Sequence, residues 1–267
     1  MMQAQITLPL RRSLMRILCA LVFFSTGTVQ AELDERTAAA LDAAIESSER
    51  PDADKARDRN RKPKATLEFF GFRDDMAVAE IFPGPGGWYT KILAPALKEH
   101  GQLHVISGLY KQYGYGDALS RVDALDGKDQ INTVDISTAL IVNDDFSVSM
   151  NDTPLAANDL DLVLTFRNLH NMTPEGRMAL YRSVYAALKE GGRFGAIDHT
   201  RRHMMPNDPE MERRLDPVIV IKEATAAGFT FVDFSTLHYR PDDELRYEVG
   251  RRSVTGNTDR WTLMFQK

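Results

Sequence analysis

The stretch from Ala77 to Leu97 (AVAEIFPGPGGWYTKILAPAL) constrains the fold more than any other part of the chain. An apolar run ends in a turn rich in glycine and proline and passes directly into a helical pattern. Glycines in such a turn let the backbone approach a ligand closely, and a helix that starts there offers free N–H groups. The turn belongs at the carboxyl end of a strand, where open α/β sheets bind their ligands. Glu80 is an acid inside a strand that otherwise reads as buried. A carboxylate in that position needs turn N–H groups, or a cationic or hydroxyl group of a ligand, to offset its burial.

The rest of the chain after Lys64 alternates between β-like apolar runs and helical patterns, the mark of a parallel sheet with crossover helices. Strands are expected at 77–82, 102–107, 160–166, 192–198, 229–237 and 261–266, and helices at 66–71, 89–99, 173–188 and 216–227. One further strand belongs within either 131–142 or 146–150. The fold class is therefore α/β, a Rossmann-like, doubly wound, mostly parallel seven-stranded sheet. Its last two strands form an antiparallel pair, with an antiparallel C-terminal edge strand.

Residues 1–31 contain no acid and three arginines, followed by the apolar run 17–24 and the exit Val29-Gln30-Ala31. This reads as a cleavable secretory signal peptide cut after Ala31, and the apolar run is too short to span a bilayer as a helix. A permanent N-terminal anchor is the competing reading. The pair Arg11-Arg12 also fits a twin-arginine export route. Residues 32–64 are expected as an amphipathic helix followed by a charged linker or short helix, and 65–267 as the main domain. An exported, periplasmic location follows, with no stable membrane span once the leader is removed.

Composition narrows the chemistry. The 267 residues carry a net charge of −5 and one cysteine, Cys19, which lies in the leader. Thiolate catalysis and thiolate metal ligation are thereby excluded from the mature chain. The acidic balance also argues against nucleic acid as a partner, since phosphates call for a basic face.

Two more strand ends are polar. The run Thr165-Phe166-Arg167-Asn168-Leu169-His170-Asn171 offers Arg167 and Asn168 to position a carboxylate or phosphate, and His170 as a general base. The bland alternative is a loop that caps the next helix while its histidine packs on the sheet. Asp198, at the next strand end, is placed to orient the His170 imidazole. His199 and His203 have the i, i+4 spacing of metal ligands but lack a third ligand, so no metal site is expected and a metal-dependent hydrolase is the weakest reading. Arg260, beside Asp259, reads as a structural charge.

The acid and glycines at Glu80, Gly84 and Gly86 resemble motif I of class I S-adenosylmethionine-dependent methyltransferases. More specifically, ARDRNRKP (56–63), EIFPGPGGWYTKILAPAL (80–97), DLVLTFRNLHN (161–171), LKEGGRFGAIDH (188–199) and TDRWTLMF (258–265) are similar to a bacterial family of predicted exported methyltransferases. The resemblance implies S-adenosyl-L-methionine as cofactor, contacted by Glu80, Gly84, Gly86, Gly87, Tyr89 and Ser107. It also implies methyl transfer, and the polar strand ends add His170, Arg167, Asn168 and Asp198 as the candidate catalytic set acting on an oxygen or nitrogen nucleophile of a small molecule. Two departures stand out. Phe82 occupies the usual first glycine of the motif, and Ser107-Gly108 replaces the acid that holds the ribose, with Asp117 the acid that could substitute. The alternative function is a noncatalytic exported binding protein that retains the fold.

Overall fold

The computed structural model describes residues 32–115, 125, 127–206 and 208–267. Residues 1–31, which hold the expected leader, lie outside them, as does Asp117.

Helix α1 (Glu35–Glu46) begins at Asp34, whose carboxylate accepts the Thr37 N–H, and it is tied to the body by Arg36 and Thr37 on Asp74. The charged stretch that follows folds into two single-turn helices, α2 (Asp52–Lys55) and α3 (Asp58–Arg61), which lead into α4 (Pro63–Phe69). It is built into the domain: Arg50 and Arg61 are buried, and Arg50 forks onto Asp58 at 2.9 and 2.7 Å.

Strand β1 (Ala77–Ile81) leads through the glycine turn into α5 (Thr90–Leu97), then β2 (Gln102–Ser107), the short α6 (Leu109–Gln112) and β3 (Ile131–Asp135). The hairpin β4 (Leu140–Val142) and β5 (Val148–Met150) stands apart from the main sheet. Of the two stretches that competed for the third strand, the sheet uses 131–135, and 140–150 pairs with itself. The chain continues through β6 (Leu160–Phe166), α7 (Pro174–Ala187), β7 (Leu188–His199), α8 (Pro217–Ala226), β8 (Thr230–Ser235) and β9 (Arg260–Gln266).

The sheet order is β3-β2-β1-β6-β7-β9-β8. The first five strands of that order are mutually parallel, and β9 runs antiparallel to both β7 and β8. The C-terminal strand is thus the antiparallel one. It sits one place in from the edge, which β8 occupies, so the pair together closes that side. A parallel sheet covered on both faces requires strands apolar on both sides. Accordingly, Val78, Leu162 and Leu164 join Leu67, Phe70, Ile92 and Leu97 on one face, while Ala79, Ile81 and Val163 join Leu180, Val184, Val220 and Phe229 on the other. The chain runs outward from β1 to β3 and then returns to β6 beside β1. The topological switch point therefore lies at the carboxyl ends of β1 and β6.

Candidate functional site

At that switch point lies a cavity of about 210 Å³, walled by α2 and α3, the end of β1 with its glycine turn, Tyr110 of α6, and Phe166 to Asn168 at the end of β6. A larger groove of about 590 Å³ near Asn60 and Arg240 opens on the surface, with its Arg59 and Lys62 exposed. The smaller cavity is where buried titratable groups converge.

The turn shows why it tolerates Phe82 where a glycine is usual. Phe82 adopts φ +51°, the left-handed conformation that glycine reaches without strain, while its ring is 1% exposed. Its N–H donates to Ile106 O at 2.8 Å, continuing the β1–β2 ladder beyond the strand, so ring burial and the ladder hold a backbone that phenylalanine disfavours. Gly84, Gly86 and Gly87 line the cavity, and a Cβ placed on Gly86 would meet nothing within 4 Å. Glu80 is buried beside them and accepts the Thr90 hydroxyl at 2.6 Å. Burial pushes its carboxyl up to about 7, against the pull of that hydrogen bond and of Arg61.

Tyr89 forms one wall, stacked on Phe166 with centroids 3.6 Å apart. Trp88 packs edge-on against Tyr89, and its indole N–H donates to Asp54 O at 3.0 Å. Arg61 lies over the Trp88 ring at 4.4 Å. Asn168 is 1% exposed, and its amide is fully engaged: it donates to Ile81 O and Thr165 Oγ1 and accepts from the Tyr110 hydroxyl. It therefore shapes the cavity by joining β1, β6 and α6. Arg167 takes φ +64°, anchored by its N–H on Ile197 O, and its side chain has no hydrogen-bond or ion-pair partner among the described residues.

Asp198 is fully buried and accepts three hydrogen bonds, from the His170 N–H, the His170 ring at Nδ1 and the His199 N–H. A carboxylate acceptor here places the Nδ1–H of His170 toward Asp198 and leaves Nε2 outside the pair. The His170 side chain is 6% exposed and does not line the cavity. Ser107, at the end of β2, also lies off the cavity wall. Its hydroxyl donates to Val134 O at 3.4 Å.

His199 and His203 do not converge. His199 pairs with the Thr258 hydroxyl, and burial holds it well below the usual imidazole range; His203 pairs with Asp216. Among the described residues no group of three His, Cys, Asp or Glu could hold a metal ion, and no helix is long and apolar enough to cross a membrane.

Three arginines of the site have no functional role in the sequence reading, which names Arg260 as a structural charge. Arg57 and Arg61 line the cavity from a stretch read as linker, and Arg260 is 8% exposed behind them with no bond to Asp259. The alternation Arg57, Arg59, Arg61 ahead of Pro63 was the available signal. Nothing local marks one of its faces as buried, so the stretch reads as a charged linker or short helix.

No protein-family model and no curated protein sequence matches the chain. Solved structures share its fold. An S-adenosylmethionine-dependent methyltransferase from Aquifex aeolicus superposes with a TM-score of 0.53 at 16% identity, covering 84% of this chain and 96% of that one. The cyclase SpnF superposes with a TM-score of 0.51 at 15% identity, covering 78% and 80%. Methyltransferase and cyclase chemistry thus occur on one scaffold, and this chain has the fold of these proteins.

Proposed function

We propose that the chain is an exported methyltransferase that uses S-adenosyl-L-methionine to methylate an oxygen or nitrogen of a small molecule. The observation that carries this reading is the buried acid and glycine turn at the end of β1, opening into the cavity at the switch point. The methyltransferase from Aquifex aeolicus, of the same fold, supports it.

The residues fit the amino-acid end of such a cofactor. Glu80 offers a carboxylate to an ammonium group, Gly84 to Gly87 leave the backbone open, and the arginines offer donors to a carboxylate. Bound there, the cofactor would supply an electrophilic methyl group for an oxygen or nitrogen of the acceptor, which would give up a proton in exchange. The chain's own work is alignment and proton removal. The Tyr89–Phe166 stack and Asn168 fix the walls against which the reactants lie. His170, tied to Asp198 behind the cavity wall, receives the proton in this reading only after it has left the lined space, and Arg167 orients the acceptor molecule.

A second reading, a noncatalytic binding protein that keeps the fold but has lost cofactor use, is favoured by one observation: Ser107 gives its hydroxyl to Val134 O, and Asp135, its partner across β2 and β3, is engaged by Lys111 and the Ser137 N–H. Calorimetric titration of the protein lacking residues 1–31 with S-adenosylhomocysteine separates the two. Binding is expected, weakened by Gly86→Ala with no loss of stability, and absence of binding at high micromolar concentration overturns the cofactor assignment. Fusing residues 1–31 to reporters that each tolerate one export route tests the leader and its path.

A further inference from the structure

The cavity collects positive charge from side chains that no described residue bonds or ion-pairs. Arg57, Arg61 and Arg167 line it, Arg260 stands next to them, and none of the four side chains has a hydrogen bond or ion pair to a described residue. Two of the four are buried: Arg61 is 6% and Arg260 8% exposed, and Nε of Arg260 is sealed from solvent without a partner. The acids nearby answer them only in part: Asp54 acts on Arg57 and Glu80 on Arg61 through space, without a hydrogen bond or ion pair. Asp54 is taken by Lys91 at 2.7 Å, and Glu80 shares its charge with the Thr90 hydroxyl.

This is unusual physics for a chain with a net charge of −5. Buried arginines are ordinarily paired, because an unpaired buried charge is costly. Burial and the neighbouring guanidinium groups of Arg167, Arg57 and Arg260 hold Arg61 down to about 8, and burial with Arg167 holds Arg260 down to about 10. A guanidinium does not shed its proton at neutral pH, so an arriving anion is what relieves the cost. The side chains are held for that task. The Trp88 ring fixes Arg61 by a cation–π contact, and the left-handed backbone at Arg167 sets the direction in which its side chain leaves β6.

We propose that the cavity binds a small molecule through a doubly charged oxyanion, a phosphoryl group or a pair of carboxylates, gripped by Arg57, Arg61 and Arg167 with Arg260 behind them. Resting on the methyltransferase reading, this anionic molecule is the methyl acceptor. The cofactor alone does not meet the demand. S-adenosylmethionine carries one carboxylate against an ammonium and a sulfonium, so its arrival adds net positive charge to the cavity. An anionic acceptor balances both the arginines and the cofactor, and the two ligands are therefore expected to bind with positive coupling.

The test uses inorganic phosphate and malonate as probes, titrated calorimetrically into the protein lacking residues 1–31 at constant ionic strength, with chloride as reference. At least one probe is expected to bind, and its affinity to fall about tenfold or more in Arg167→Gln and Arg57→Gln, the scale of losing a charge-assisted hydrogen bond. Arg59→Gln, outside the cavity, is expected to leave affinity unchanged. Which probe binds more tightly identifies phosphoryl or dicarboxylate recognition. Thermal unfolding with and without the probe guards against misfolded variants: the probe must raise the midpoint of the parent more than that of either cavity variant. Neither probe binding better than chloride, or equal loss in Arg59→Gln, overturns the anion site. Binding of S-adenosylhomocysteine is measured in parallel. Cofactor binding without anion binding refutes the acceptor class alone. Anion binding without cofactor binding refutes the methyltransferase reading while the anion site stands.

Discussion

Asp198 Oδ1 lies 2.5 Å from Nδ1 of His170, and the same fully buried carboxylate accepts the backbone N–H groups of His170 and His199. One side chain at the end of β7 thus fixes both the imidazole and the backbone of the loop after β6. Asp198→Asn would turn an NH2 donor toward at least one of these N–H donors. We expect a loss of about 2 kcal/mol in unfolding free energy by urea titration, the scale of an unsatisfied buried group. Unchanged stability would mean that the carboxylate does not hold the loop.

Phe82 sets strain against packing. Its left-handed backbone costs roughly 1–2 kcal/mol, whereas deleting a buried phenylalanine ring costs about 3–5 kcal/mol. Packing is the larger effect, so Phe82→Gly is expected to destabilise by about 2 kcal/mol although glycine suits the dihedral. A neutral or stabilising result in denaturant unfolding would show that strain dominates.

Glu80 gives the protein a signed pH dependence. Burial raises its carboxyl from 4.5 to about 7, so between those values the folded state holds a proton that the unfolded chain has lost. Its contribution therefore falls as pH rises through this window and stays constant above it, by roughly 3 kcal/mol in total. Glu80→Gln abolishes the dependence. The stability of the variant relative to the parent should climb by that amount from pH 4.5 to 7 in parallel urea melts, and a flat difference would refute the shift. His238 acts oppositely: burial lowers it to about 4, so its contribution is lost as pH falls below about 6.5. It is common to both proteins and cancels from the comparison.

Arg260 offers a test that a purely structural charge would fail. Replacing it with methionine keeps most of the apolar stem and removes a buried, unpaired guanidinium from a field of like charges. We expect Arg260→Met to raise the thermal midpoint by a few degrees, on the order of 1 kcal/mol. A lowered midpoint would show that the guanidinium is stabilised within the fold.

Much of this architecture was legible in the order of residues. Alternating apolar runs located six strands of the main sheet, and Thr173-Pro174 marked the start of α7, where the threonine hydroxyl accepts the Gly176 N–H. The stretch 131–150 resisted reading because β3 is half exposed at its end of the sheet and has no strong apolar signal, while the more apolar β4 and β5 pair only with each other. The candidate site was legible in part. The glycine turn announced the cavity, and the spacing of polar strand ends placed Asp198 and His170 close together. Ser107 and Asn168 carried no sign that their hydrogen bonds are spent on the fold, since that depends on which carbonyls lie alongside.

The α/β class, the glycine turn and the identity of the polar strand ends are written in the order of residues, because strand alternation, helix caps and turn conformation are local properties of the backbone. Folding alone brings Arg57, Arg61 and Arg167 to one cavity with Arg260 behind them, from three separated segments and with no described residue bonded to or ion-paired with their side chains. Whether a guanidinium is a solvated surface charge or a buried one awaiting an anion depends on its distance from other charges and from water, and neither distance exists until the chain has folded.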